Sequence, residues 1–228
     1  TYSGRFTTTV EKKSSEIRLV IADLAFSGNN NRERNDNTVF MCMSLHWKDF
    51  RFERHVDYIE TRPGGGADKV VLRLKELYHG YQADYLIYDS RSGGEVVFDY
   101  MSGKTDNPSW LRWDDSGFTV VDDKSLHFVQ DGKISELIGR TIDPNAIKCL
   151  VPFIGTQESN SLGWQSLKKQ LETNNIKFLV SMQDAQAAME DSGEIYKLTS
   201  EQLANKLAPF GQTDLLIQEC VNLSAEFK

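Results

Sequence analysis

Two short apolar runs along the chain each end in a carboxylate. Leu19-Val20-Ile21-Ala22 leads into Asp23, and Tyr85-Leu86-Ile87-Tyr88 leads into Asp89. Continuous apolar runs of this length predict strands buried on both faces. The first extends back to Ile17, and Thr1 to Glu16 is a polar linker or entry strand. After a polar loop from Ala25 to Asp36, Val39 to Trp47 predicts a long strand, and Lys48-Asp49 a tight turn. Phe50, Phe52, Val56 and Tyr58 then alternate with polar residues, as a half-buried antiparallel strand does. The first three strands therefore form a meander.

Arg62-Pro63-Gly64-Gly65-Gly66 breaks this pattern. Val70, Val71, Leu74, Leu77 and Tyr78 fall at helical spacing, with Gly80 as the expected stop. A helix crossing over to the buried strand Tyr85 to Asp89 is the parallel α/β signature. A second helix is expected from Glu95 to Met101, after the Gly93-Gly94 turn. Gly103 to Asn145 carries Asp114-Asp115, Asp122-Asp123 and Asp131-Gly132 between short apolar runs, and reads as an insertion of hairpins with one helical turn. Ile147 to Ile154 resumes a buried strand. Leu162, Trp164, Leu167 and Leu171 mark an amphipathic helix, and Ile176 to Met182 a further strand. Thr199-x-x-Gln202 has the form of a capping box opening a helix to Leu207. Pro209-Phe210-Gly211 is expected to interrupt it, so that a last helix starts near Thr213 as N-cap.

Composition narrows the class. The 228 residues, 39% hydrophobic, suffice for one large domain, here residues 1–228 with 103–145 as the inserted segment. A net charge of -7 argues against a general nucleic-acid coat but leaves room for a local basic groove. Cys42, Cys149 and Cys220 have no C-x-x-C spacing, so neither a zinc ribbon nor a disulfide framework is indicated, and a reducing, cytosolic setting fits. No apolar run reaches transmembrane length. The chain begins at Thr1 rather than Met, as a piece of a longer protein would.

If the strands ending in Asp23 and Asp89 are neighbours, their carboxylates converge. Like charges held close repel unless a cation sits between them. Oxygen ligands without a His or Cys cluster favour Mg²⁺ or Mn²⁺ over Zn²⁺. A third ligand is expected. Asp214, at the first turn of the last helix, is favoured there by the helix dipole. Asp184, after the strand ending at Met182, is the rival, and Glu219 a further candidate. An Asp after a strand also serves as a turn or cap residue. His46, His55, His79 and His127 show no ligand spacing.

At these residues the sequence resembles a known family. Ile21-Ala22-Asp23-Leu24-Ala25 with Asn35-Asp36-Asn37-Thr38-Val39 is similar to the first nuclease motif of the large terminase subunits of tailed phages. Leu86 to Gly94 resembles their second motif, an Asp at a strand end before a glycine turn, and Gln212-Thr213-Asp214-Leu215-Leu216 resembles the third. The third motif often has a His or second acid beside its carboxylate, where this chain has Gln212 and Thr213. The resemblance spans most of the chain outside Gly103 to Asn145.

It implies a ribonuclease H-like α/β fold, an antiparallel meander followed by parallel strands with flanking helices. It also implies a metal-dependent endonuclease that cuts concatemeric viral DNA during packaging in the cytoplasm of an infected bacterium. Two Mg²⁺ or Mn²⁺ ions about 4 Å apart would drive phosphodiester hydrolysis. Asp23 would bridge them, with Asp89 and Asp214 completing one sphere each. The implied partners are double-stranded DNA, a motor ATPase domain, a small terminase subunit and the portal. Ser102-Gly103-Lys104-Thr105 imitates the end of a Walker A motif, but Phe98 stands where its first Gly should be, so the motor is expected elsewhere. Arg32, Arg34, Arg91 and Lys104 lie near the first two motifs and are the candidate DNA contacts. Trp110 and Trp113 either stack on bases or form a small core of their own. Two other readings stay open: a resolvase- or integrase-type nuclease with Glu219 as a fourth acid, and a non-catalytic domain that binds DNA or a capsid partner.

Overall fold

The structure, a computed structural model, describes residues 11–25, 37–63, 65–91, 94–103, 116–129 and 131–222. Strands β1 (Glu16–Asp23), β2 (Asn37–Lys48) and β3 (Arg51–Pro63) form the expected meander, each antiparallel to the next. The β2–β3 turn lies one residue later than expected, at Asp49 and Phe50. Both have positive φ, 51° and 61°, which matches the twist of a two-residue hairpin. Helix α1 (Ala67–Tyr81) crosses to β4 (Tyr85–Asp89), which lies parallel to β1. Helix α2 (Gly94–Met101), strand β5 (Phe118–Val120), helix α3 (Asp131–Arg140) and strand β6 (Ile147–Phe153) follow. Then come α4 (Gln157–Glu172), β7 (Ile176–Lys177), α5 (Met182–Asp191) and α6 (Ser200–Asn222).

Among the described residues the strands make one seven-stranded sheet in the order β5-β6-β4-β1-β2-β3-β7. Strands β4, β5 and β6 run parallel to β1, and β7 runs parallel to β3. The fold is α/β, an antiparallel meander continued by parallel strands and flanked by helices. It is the arrangement that the motifs imply.

The core lies mainly on one side of this sheet. Val20, Ala22, Phe40, Leu86, Tyr88 and Leu150 pack with Val71 and Leu74 of α1, Phe98 of α2, and Ile134 and Leu137 of α3. Strands β1 and β4 are not buried on both faces, as their apolar runs predicted. Burial alternates: Val20 and Ala22 are buried, Leu19 and Ile21 half-buried, and Asp23 exposed. The cause is that α1 to α3 cover one face, while the other is only partly covered. A smaller core joins Leu179, Val180, Ala185 and Met189 to Leu207 and Phe210.

Several elements differ from the sequence expectation. Helix α1 passes through Gly80 and stops at Gln82, which takes the left-handed conformation with φ 55°. A register shift opposite Cys42 and Met43 inserts Asp57 into β3, where it is buried and accepts hydrogen bonds from Ser44 (2.6 Å) and Tyr81. The described part of 103–145 forms a parallel edge strand and a ten-residue helix rather than hairpins, and Phe118 and Val120 enter the main core. The strand expected from Ile176 to Met182 shortens to Ile176–Lys177, and Ser181 caps an unforeseen helix, α5. Pro209 does not break the last helix. α6 runs through it, because Leu207 and Phe210 on either side are anchored in the smaller core. The capping box at its start is present: Gln202 N–H donates to Thr199 Oγ1 (3.2 Å), and Gln202 Oε1 accepts from Thr199 N–H (2.9 Å). Ser102 and Gly103 sit at the end of α2, which is no phosphate loop.

Candidate active site

The parallel register sets Ile21 opposite Ile87 and Ala22 opposite Tyr88. The next residues on the two strands are Asp23 and Asp89. Side chains alternate along a strand, so both carboxylates leave the same face, away from the buried row of Val20, Ala22, Leu86 and Tyr88. The sheet therefore brings two of the sequence-predicted carboxylates to neighbouring strand ends. Asp89 also pairs with Phe153 at the end of β6, so three parallel strands end together.

The loop after Asp89 is held tightly. Ser90 N–H donates to the Phe153 carbonyl (2.9 Å), and its hydroxyl donates to the same oxygen (3.2 Å). A Cβ on Gly94 would lie 2.5 Å from the Asp89 carbonyl oxygen, so only glycine lets α2 start this close to the strand end. This is the physical basis of the Asp–glycine-turn motif.

Arg91 folds back over Asp89. Its Nη2 donates to Oδ2 (3.0 Å), its Nε to both oxygens (3.3 Å each), and its backbone N–H to Oδ1 (2.8 Å). Nη1 donates to the Gly155 carbonyl (3.0 Å), in the turn before α4. Partial burial opposes the charge on Asp89, but these hydrogen bonds outweigh it and hold the carboxyl below its ordinary value. Hydrogen bonding to Asp89 in turn raises Arg91, and Asp23 adds to this through its charge. The hydrogen bonds of the guanidinium to a carboxylate all go to Asp89.

The third acid lies elsewhere. Asp214 stands in the middle of α6, not at a helix start, and α6 packs on β3 and α5. Its Oδ2 accepts from the backbone N–H of Met182 (2.9 Å), the first residue of α5. Thr213, expected as an N-cap, is buried and donates to the Pro209 carbonyl (2.8 Å). Asp184 lies at the same end of α5, where it accepts from Ser181 Oγ (2.7 Å). Both candidates for the third ligand thus hold the start of one helix. Glu219 is exposed on α6. Among the described residues no group of three His, Cys, Asp or Glu side chains could hold a metal ion. The strand-end pair still fits a hard cation. Its donors are carboxylate oxygens, and Mg²⁺ is commonly held by one or two carboxylates with water in the other positions.

Arg32, Arg34, Lys104, Trp110 and Trp113 lie outside the described residues. Of the four candidate DNA contacts, Arg91 is the one described. Sequence reading missed the part that Ser90 and Gly155 play. Each acts through its backbone on a residue more than sixty positions away, and no local pattern marks such a contact.

No protein-family model matches the chain, and no curated protein is similar to it. Solved structures similar to it include two nucleases. The large terminase nuclease of thermophilic phage G20c is 15% identical, with 77% of this chain and 70% of that one covered at a TM-score of 0.35. The human cytomegalovirus terminase nuclease domain, soaked with manganese and with an inhibitor bound, is 8% identical, with 93% and 89% covered at a TM-score of 0.36.

Proposed function

We propose that the chain is a metal-dependent DNA endonuclease of the terminase type, with Asp23 and Asp89 as its metal-holding residues. The observation that carries this reading is the pair of carboxylates on one face of two neighbouring parallel strands, at the end of the sheet where such folds place ligands. Divalent ions held there would supply an activated water and charge stabilisation for the leaving 3′ oxygen. Asp23, the more exposed of the two, would be the residue that holds both ions. Asp89, paired with Phe153 of β6, would complete the site on that side. Asp214 is the third ligand in the motif-based reading, and joining the pair requires it to release the α5 backbone.

In this account the substrate is concatemeric viral double-stranded DNA, cut during packaging in the infected bacterium. Arg32, Arg34, Arg91 and Lys104 contact its backbone. A motor ATPase domain, a small terminase subunit and the portal are the partners of the intact machine. Among the described residues no helix is long and apolar enough to cross a membrane.

A second reading, a non-catalytic domain that binds DNA or a capsid partner, is favoured by the lack of a third nearby acid among the described residues and by the net charge of -7. Nicking of supercoiled plasmid with Mn²⁺, by the wild type and by Asp23→Ala, separates the two. The nuclease reading expects cutting by the wild type and a loss of at least about a hundredfold in the variant. A folded wild type that fails to cut at any metal concentration selects the second reading.

A further inference from the structure

Arg91 is engaged in a way that bears on how the site is loaded. This inference rests on the reading of Asp23 and Asp89 as metal ligands. A carboxylate offers about four lone-pair positions. The four hydrogen bonds that Asp89 accepts from the backbone N–H, Nε and Nη2 of Arg91 occupy both of its oxygens. A divalent cation cannot take Asp89 with its full donor capacity while the guanidinium stays in place.

The rest of the geometry suits an exchange. The Arg91 side chain is 50% exposed, so it can turn without disturbing the core. Nη1 is anchored on the Gly155 carbonyl and need not move far. A phosphate offers the guanidinium the same planar, two-point partner that Asp89 does.

We propose that Arg91 is a gate on metal loading: it neutralises Asp89 in the free protein and passes to a substrate backbone phosphate, leaving Asp89 to the divalent cation. Metal and DNA then tighten each other's binding, because each removes the competitor of the other.

The test is Mn²⁺ binding by the intact chain without DNA, followed by the electron paramagnetic resonance of free Mn²⁺. The proteins are the wild type, Arg91→Ala, Arg91→Lys and Asp89→Asn, each checked for folding by circular dichroism. Arg91→Ala is expected to bind Mn²⁺ about tenfold tighter than the wild type, since charged hydrogen bonds no longer compete. Arg91→Lys, with a point charge in place of the fork, is expected to fall between them. Asp89→Asn is expected to lose the site. Equal affinity in wild type and Arg91→Ala, with binding lost in Asp89→Asn, overturns the gate but leaves the metal site standing. Binding unchanged in Asp89→Asn overturns the metal site, and the gate with it.

Discussion

Asp214 accepts a hydrogen bond from the backbone N–H of Met182, thirty-two residues earlier in the chain. The contact ties α6 to the start of α5, where Ser181 and Asp184 already form the cap. It gives this carboxylate a structural task apart from any catalytic one.

Asp214→Ala removes an acceptor from a helix start and is expected to lower stability by about 1 kcal/mol. Chemical denaturation at neutral pH measures this. If Asp214 acts only on α5, Mn²⁺ affinity in the same variant stays at the wild-type value. A fall in affinity comparable to that of Asp89→Asn instead makes Asp214 a ligand that moves into the site.

Gly94→Ala tests the tight turn behind Asp89. A Cβ there meets the Asp89 carbonyl oxygen at 2.5 Å, and the obstacle is backbone rather than a flexible side chain. Overpacking of this kind costs about 1–3 kcal/mol. The expected outcome is a lower denaturation midpoint together with weaker Mn²⁺ binding, because the strand end itself must shift. Unchanged metal binding would show that the turn does not position Asp89.

Glu60, on β3 two strands from β1, provides a pH-dependent contribution of its own. It accepts from Arg73 Nε (2.7 Å) and Nη2 (2.9 Å) and from the Tyr58 hydroxyl (2.6 Å). Partial burial opposes its charge, but these bonds prevail and hold its carboxyl below the ordinary value of 4.5. The ionised form is therefore favoured by folding. Its stabilisation is complete above the unfolded value and is lost as pH falls through the lower folded one. Glu60→Gln should cost about 1.5–3 kcal/mol at pH 7. Urea midpoints of the two proteins should then converge as the pH drops below about 4.5.

The parts of the fold that were legible in the sequence are the local ones. An apolar run ending in Asp marks both β1 and β4, alternation marks β3, and Thr199 with Gln202 marks the start of α6. Of the site, the two strand-ending carboxylates Asp23 and Asp89 were legible, but that β1 and β4 are neighbours was only a condition in the sequence, because α1 joins β4 to β3 and not to β1. What was not legible depends on distant contacts. Pro209 reads as a helix break until Leu207 and Phe210 are seen packed beside Leu179 and Ala185. Asp214 reads as a first-turn acid until α6 is known to begin at Ser200. One-sided burial of β1 depends on which helices cover the sheet. The hold of Gly155 on Arg91 joins two loops that meet only because β4 and β6 are paired.

The central claim is that Asp23 and Asp89 together hold a divalent cation. Crystals soaked in Mn²⁺, with data collected for the anomalous signal of manganese, test it most directly. The account predicts an anomalous peak within direct coordination distance, about 2.1–2.3 Å, of carboxylate oxygens from both residues. Manganese bound elsewhere on the protein, with none at this pair, would contradict it.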